Sequence, residues 1–198
     1  MHSNVIYKIT KKSKMKKLTL AVLLLAGIAL STSAVAQEKT VEVGGAPMYP
    51  SKNIVQNAVN SQDHTTLVAA VKAAGLVSTL ESKGPFTVFA PTNEAFNKLP
   101  AGTVDNLVKP ENKATLTTIL TYHVVAGKID SKELMKRIKK GKGTTELTTV
   151  QGEKLWVMQK DNMLWLKDEK GGMAEITIKD VYQSNGVTHV IDTVLMPK

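Results

Sequence analysis

Beyond His2 the chain has three histidines, His64, His123 and His189, and it has no cysteine. A metal site needs several imidazoles or carboxylates converging, and none of the three stands at a metal-type local spacing; without thiols, cysteine ligation and thiol catalysis are excluded. A Ser-His-Asp set can be written from Ser184, His189 and Asp192, but Ser184 lacks the glycine-flanked elbow that exposes a nucleophile. The expectation is therefore no enzyme, with no catalytic, cofactor-binding or metal-binding residue. His64 follows Asp63 at a predicted helix start, where a capping or surface role is expected. The basic run Lys136 to Lys142 admits two readings, a polyanion contact or a solvated helix face whose cations complement the helix dipole. Its Lys-Gly-Lys-Gly-Thr end is no phosphate loop, since the preceding strand and the glycine spacing are missing.

The strongest binding chemistry lies in two aromatic strands. If a hairpin turns through Lys160 and Asp161, Trp156 faces Trp165, Met158 faces Met163, Leu155 faces Leu166 and Val157 faces Leu164. Both faces are then apolar, and a slip of two residues changes the partners but keeps the faces. One face must cover a core. The other, with two Trp and two Met, is either roofed by other elements or is a contact surface.

The elements that would position these residues divide along the chain. Ile54, Val55, Ala58 and Val59, then Leu67, Val68, Val71 and Ala74, recur at helical spacing, with Gly75 and Gly84 where helix ends are expected. Pro110 opens the longest helix through Leu116, Ile119, Leu120 and His123. Asp130 with Glu133 can cap a helix over 131–140. Phe86 to Ala90 reads as a strand ended by Pro91, after which Thr92 or Asn93 caps a short helix. Strands follow over 146–150, 154–159, 163–167, 175–182 and 187–195, with Asn185-Gly186 supplying the positive backbone angles of a tight turn. Helices first and antiparallel strands after give an α+β class.

Residues 1–36 contain Lys8, Lys11, Lys12, Lys14, Lys16 and Lys17, then the 13-residue apolar run Leu18 to Leu30 and Ala34-Val-Ala36. That order predicts a signal peptide cleaved near Ala36; the run is too short for a membrane span of about 20 residues. Met15 would also serve as a start. The first 36 residues hold six of the 26 basic residues and none of the 17 acidic ones, leaving 20 against 17, or +3, on the remainder. Nothing in that balance points to nucleic acid. With no cysteine for lipid anchoring, a secreted or periplasmic protein is expected, held by its core alone without disulfides. Residues 37–52, with Gly44-Gly45, Pro47 and Pro50, read as a linker, and 53–198 as one domain.

Three segments recur in family order: Thr87 to Phe96 (Thr-Val-Phe-Ala-Pro-Thr-Asn-Glu-Ala-Phe), Tyr122-His123-Val124-Val125, and Asn185 to Pro197 (Asn-Gly-Val-Thr-His-Val-Ile-Asp-Thr-Val-Leu-Met-Pro). Together they resemble the fasciclin-like domain, an adhesion and interaction module, over about 53–197. The resemblance implies a wedge of two small sheets with helices on one side. It also implies a cell-surface or extracellular-matrix partner, protein or polysaccharide, contacted around Tyr122, His123, Val124 and Val125, although two valines are unusually apolar for an exposed segment. His123 and His189 fall in family motifs and are expected to be buried and hydrogen-bonded. Trp156 and Trp165 complete the candidate contact residues. The alternative is a carrier of a small apolar ligand, a lipid or pigment, held between the helices and the Trp hairpin; a pocket lined by Trp156, Trp165, Met158 and Met163 would favour it.

Overall fold

A computed structural model describes residues 38–198, so the expected signal peptide, 1–36, lies outside the described residues. Seven strands form one continuous sheet in the order β4-β3-β9-β8-β7-β6-β5. They are β3 (Phe86–Pro91), β4 (Val124–Ala126), β5 (Thr144–Thr148), β6 (Lys154–Lys160), β7 (Met163–Lys167), β8 (Met173–Gln183) and β9 (Gly186–Ile191). A separate hairpin, β1 (Val41–Val43) and β2 (Ala46–Met48), precedes them. The helices are α1 (Ile54–Ala58), α2 (Thr65–Ala74), α3 (Val77–Glu81), α4 (Asn93–Asn97), α5 (Thr103–Leu107), α6 (Lys113–Tyr122) and α7 (Ser131–Lys140). The α+β expectation holds. The two expected sheets are halves of one, joined by the long β8, whose pairing with β9 is broken by irregularities between Ile176 and Val181. Its β7 partner pairs only with Met173–Glu175. The outer edges approach each other: Val125 bridges Thr149, and the Val150 amide donates to the Val124 carbonyl at 2.7 Å.

Local chemistry explains most element ends. α2 stops at Gly75, whose φ of 73° lets its amide reach the Val71 and Lys72 carbonyls. Thr92 and Asp130 cap α4 and α7 by accepting from the Ala95 and Glu133 amides. Pro110 begins a 3₁₀ turn leading directly into α6. β9 is buried along its whole length, because it runs parallel to β3 on one side and antiparallel to β8 on the other. It is therefore a central strand that ends at Ile191, four residues short of the expected 195.

The main core joins Phe89 and Tyr122 to Leu134 and Ile138 of α7 and to Leu155, Val157, Leu164 and Leu166 of the β6–β7 hairpin. A second cluster packs α2 on α6 through Ala70, Val71, Ala74, Leu116 and Leu120. Within the expected linker, residues 41–48 are instead ordered as the β1–β2 hairpin: Val43 and Met48 are buried against Val181 and Val190. Their alternate positions on two three-residue strands provide an apolar face that the β8–β9 surface covers.

Candidate functional site

The Tyr122–Val125 segment lies where α6 ends and β4 begins, and all four side chains are buried. The Tyr122 hydroxyl donates to the Lys154 carbonyl at 2.7 Å and accepts from the Glu169 amide at 3.3 Å; burial pushes the phenol up to about 12. His123 Nε2 accepts the Leu195 amide at 3.1 Å, so its proton sits on Nδ1, which donates to the Ile119 carbonyl at 2.8 Å. The ring thus ties α6 to the chain beyond β9. Burial drives its pKa down to about 4, and the ring is neutral. Val124 and Val125 face opposite sides, one toward Ile54, Val88 and Ala90 and the other into the main core. The segment expected to contact a partner has its polar side-chain atoms committed internally and its four side chains buried.

His189 is equally committed. Its Nδ1 accepts the Asp180 amide at 3.3 Å and its Nε2 donates to the Ile129 carbonyl at 2.9 Å, while burial lowers its pKa. Asp192 bonds Lys98 at 2.9 Å and the Glu175 amide at 2.8 Å, so Ser184, His189 and Asp192 do not form a hydrogen-bonded relay. Arg137, Lys139 and Lys140 of the basic run occupy the last turn of α7, and Lys136 and Arg137 pair with Glu133. This is the solvated-face arrangement, with Leu134 and Ile138 turned to the core.

The hairpin turns through Asp161 and Asn162, with φ of 51° and 63°, rather than through Lys160 and Asp161. That moves the register by two residues: Trp165 faces Met158, and Trp156 faces Lys167. The faces survive the change. Leu155, Val157, Leu164 and Leu166 are buried, while Trp156, Met158 and Trp165 are half-buried and Met163 is 43% exposed. Neither Trp joins a buried apolar cluster among the described residues. Lys160 Nζ lies 6.0 Å from the Trp165 ring centre, and the Glu146–Lys154 ion pair, at 3.0 Å, borders the patch. Two half-buried aromatic side chains on one strand pair, edged by charge, can supply apolar contact area to a partner.

An apolar cleft exists, but not beneath the Trp hairpin. It runs between α1, α2, α3 and β3, encloses about 100 Å³, and is lined by Val55, Leu67, Val68, Leu76, Leu80 and Phe86 among others. None of Trp156, Trp165, Met158 and Met163 reaches it. The β1–β2 hairpin contributes Val43 and Met48 to one wall. Asn57, beside them, exchanges two 2.9 Å hydrogen bonds with the Tyr49 backbone. His64, expected at the surface, is 4% exposed and lines this cleft; Ser61 Oγ holds its Nδ1 at 2.8 Å. The sequence offered no signal for this placement, because the walls come from residues as far apart as 43 and 190.

Among the described residues there is no cluster of three or more His, Cys, Asp or Glu able to hold a metal, and no helix long and apolar enough to cross a membrane. The profile of the fasciclin domain matches residues 62–197. Protein sll1483 of Synechocystis is 44% identical over 179 residues, covering 87% of this chain and 92% of that protein. The immunogenic protein MPB70 of Mycobacterium bovis is 41% identical over 145 residues, covering 71% of this chain and 66% of that one. Among solved structures, a FAS1 domain pair from the insect cell adhesion molecule fasciclin I superposes with a TM-score of 0.65 at 17% identity, over 81% of this chain and 58% of that one.

Proposed function

The chain belongs to the fasciclin domain family, and from that premise we propose that it is an exported, non-enzymatic binding module that makes adhesive contacts with a surface or matrix partner. The observation that carries this reading is the half-buried Trp156–Trp165 face, whose aromatic side chains lie outside the buried apolar clusters. Aromatic side chains of this kind dominate the energetics of many interfaces. The cell-adhesion role of the insect protein with the same fold agrees in kind.

The test replaces Trp156 and Trp165 together by Ser and measures attachment of protein-coated beads to surfaces bearing matrix proteins or polysaccharides. Attachment should fall at least tenfold. Thermal unfolding should change much less than it would after loss of two core aromatics, each worth about 3–5 kcal/mol. Undiminished attachment, or a loss of stability on the core scale, refutes the assignment. A second reading, carriage of a small apolar ligand, is favoured by one observation, the cleft between α1, α2, α3 and β3.

A further inference from the structure

Positive charge gathers at one end of the strand pair that carries the Trp face. Residues 136–142 hold five cations, Lys136, Arg137, Lys139, Lys140 and Lys142, and no acid. Without them residues 37–198 hold 15 cations and 17 acids, so this stretch decides the sign of the whole. A helix C-terminus carries the equivalent of about half a negative charge, which one or two cations satisfy. The others repel one another at helical spacing, as Lys136 does with Lys139 and Lys140. Glu133 takes Lys136 and Arg137, whereas Lys139, Lys140 and Lys142 meet no carboxylate among the described residues. Lys142 stands between two glycines with a φ of 56°, so a lysine occupies a left-handed position that the backbone favours for glycine.

The strand register brings this run to the aromatic face. β5 begins at Thr144, opposite Met158, and β6 ends at Lys160, so the loop bearing Lys142 and the Lys160 cation leave the sheet at the same end. Lys160 meets no carboxylate among the described residues either, and its Nζ lies 6.0 Å from the centre of the half-buried Trp165 ring. Between the end of α7 and the start of β5, an open depression of about 370 Å³ is lined by Arg137, Lys140, Gly141, Thr144, Thr145 and Glu146. Its one acid, Glu146, is held by Lys154 Nζ at 3.0 Å. Cations and threonines thus line the sheet edge, and Trp165 stands two strands inward, at about 4.8 Å per strand.

The two parts of this surface suit two parts of one kind of partner. Lysines on flexible stems follow a chain of repeated anions. The negative face of an indole attracts the partly positive C–H groups of a sugar ring. An acidic sugar carries both, an anion on its rim and C–H groups on its face, and a polymer repeats them. An acidic peptide offers no rigid ring to lie on the indole, and a lipid bilayer takes up apolar side chains that project, which half-buried Trp side chains do not.

We propose that the α7–β5 loop and the adjoining Lys160–Trp165 corner bind an acidic polysaccharide, its carboxylate or sulfate groups on Lys139, Lys140, Lys142 and Lys160 and a sugar ring on Trp165. The proposal rests on the adhesion reading and adds the chemical class of the partner.

The experiment immobilises dextran sulfate, polygalacturonate and uncharged dextran and measures binding of the whole chain at several salt concentrations. Both acidic polymers should bind saturably, and dextran about tenfold more weakly or not at all. Lys139→Gln/Lys140→Gln/Lys142→Gln should lose about tenfold or more in affinity and flatten the dependence on salt by about two to three powers of its concentration. Lys83→Gln/Lys109→Gln/Lys113→Gln removes the same charge from exposed lysines elsewhere and should lose about twofold or less. Trp165→Ser should weaken binding without changing the salt dependence, and an unchanged affinity overturns the ring contact. Equal losses from the two triple variants would reduce the effect to net charge and overturn the site. Polyglutamate or phosphatidylglycerol vesicles bound more tightly than either acidic polysaccharide would overturn the partner class. If neither acidic polysaccharide binds while attachment to matrix proteins still depends on Trp156 and Trp165, this proposal falls and the adhesion reading stands.

Discussion

Acid should unfold this protein through its buried histidines, His123 among them. In the folded chain burial pushes His123 down to about 4, against 6.5 for an unhindered imidazole, and Nε2, which would take the second proton, already accepts the Leu195 amide. The unfolded chain therefore binds this proton first as the pH falls. The stabilisation is fully present above about pH 6.5 and is lost progressively toward pH 4. A difference of about 2.5 units corresponds to about 3 kcal/mol for this one residue, a large share of the 5–15 kcal/mol that holds an ordinary domain together. His64 and His189, also lowered by burial, act in the same direction. Asp130, Glu133 and Glu169 are held below the usual carboxylate range by the hydrogen bonds they accept, so their stabilisation is lost mainly below about pH 5, beneath the interval measured. Urea unfolding followed by tryptophan fluorescence from pH 7.5 to pH 5 should show His123 alone removing about 2 kcal/mol over that interval. His123→Phe should be less stable at neutral pH, since the Leu195 amide and Ile119 carbonyl lose their partner, and its stability should fall less with acid. NMR titration of the unaltered protein offers an independent reading. A His123 ring that protonates near pH 6.5 while the fold remains intact would refute the reasoning, as would stability that stays flat down to pH 5.

Two further outcomes follow. Asn185→Ala should cost about 3 kcal/mol in urea unfolding, because the side chain accepts the buried Ile54 amide at 3.0 Å and donates to the Leu80 and Ser82 carbonyls at 2.7 and 2.8 Å; a loss under about 1 kcal/mol would mean that α1 and α3 do not depend on it. N-terminal sequencing of protein recovered from its own host should begin at Gln37, and a chain that retains Leu18 to Leu30 would refute export by cleavage.

The Asn185-Gly186 pair shows how a correct motif can carry an incorrect reason. Its sequence promised positive backbone angles, yet neither residue has a positive φ. Asn185 acts through its side chain, and Gly186 is required by proximity: a Cβ there would stand 2.2 Å from the Phe86 carbonyl oxygen. That crowding comes from the parallel pairing of β3 with β9, which joins segments a hundred residues apart and leaves no local signature. Where the determinants are local, the sequence suffices. Helical spacing and end chemistry place α2 and α7, and side-chain alternation places the two faces of β6 and β7 even though the turn, and with it the register, moved. The β1–β2 hairpin had its signal, Gly44-Gly45 between short alternating runs, but three-residue strands are too brief for periodicity to outweigh neighbouring Pro47 and Pro50.

The division of labour within the chain follows from the same distinction. Tyr122, His123, Asn185 and His189, the most recognisable residues, are all buried with their polar atoms committed, so they specify how α6, β4 and β9 meet. Trp156 and Trp165, half-buried on one strand face, and the apolar lining of the cleft keep surface to offer, and the Trp pair lies outside the three motifs. A scaffold fixed by motif residues can therefore be inherited with its core intact while the half-buried Trp face and the cleft lining vary. Partner choice in this chain should follow substitutions at Trp156, Trp165 and the cleft rather than changes in the motifs, which would act on stability first.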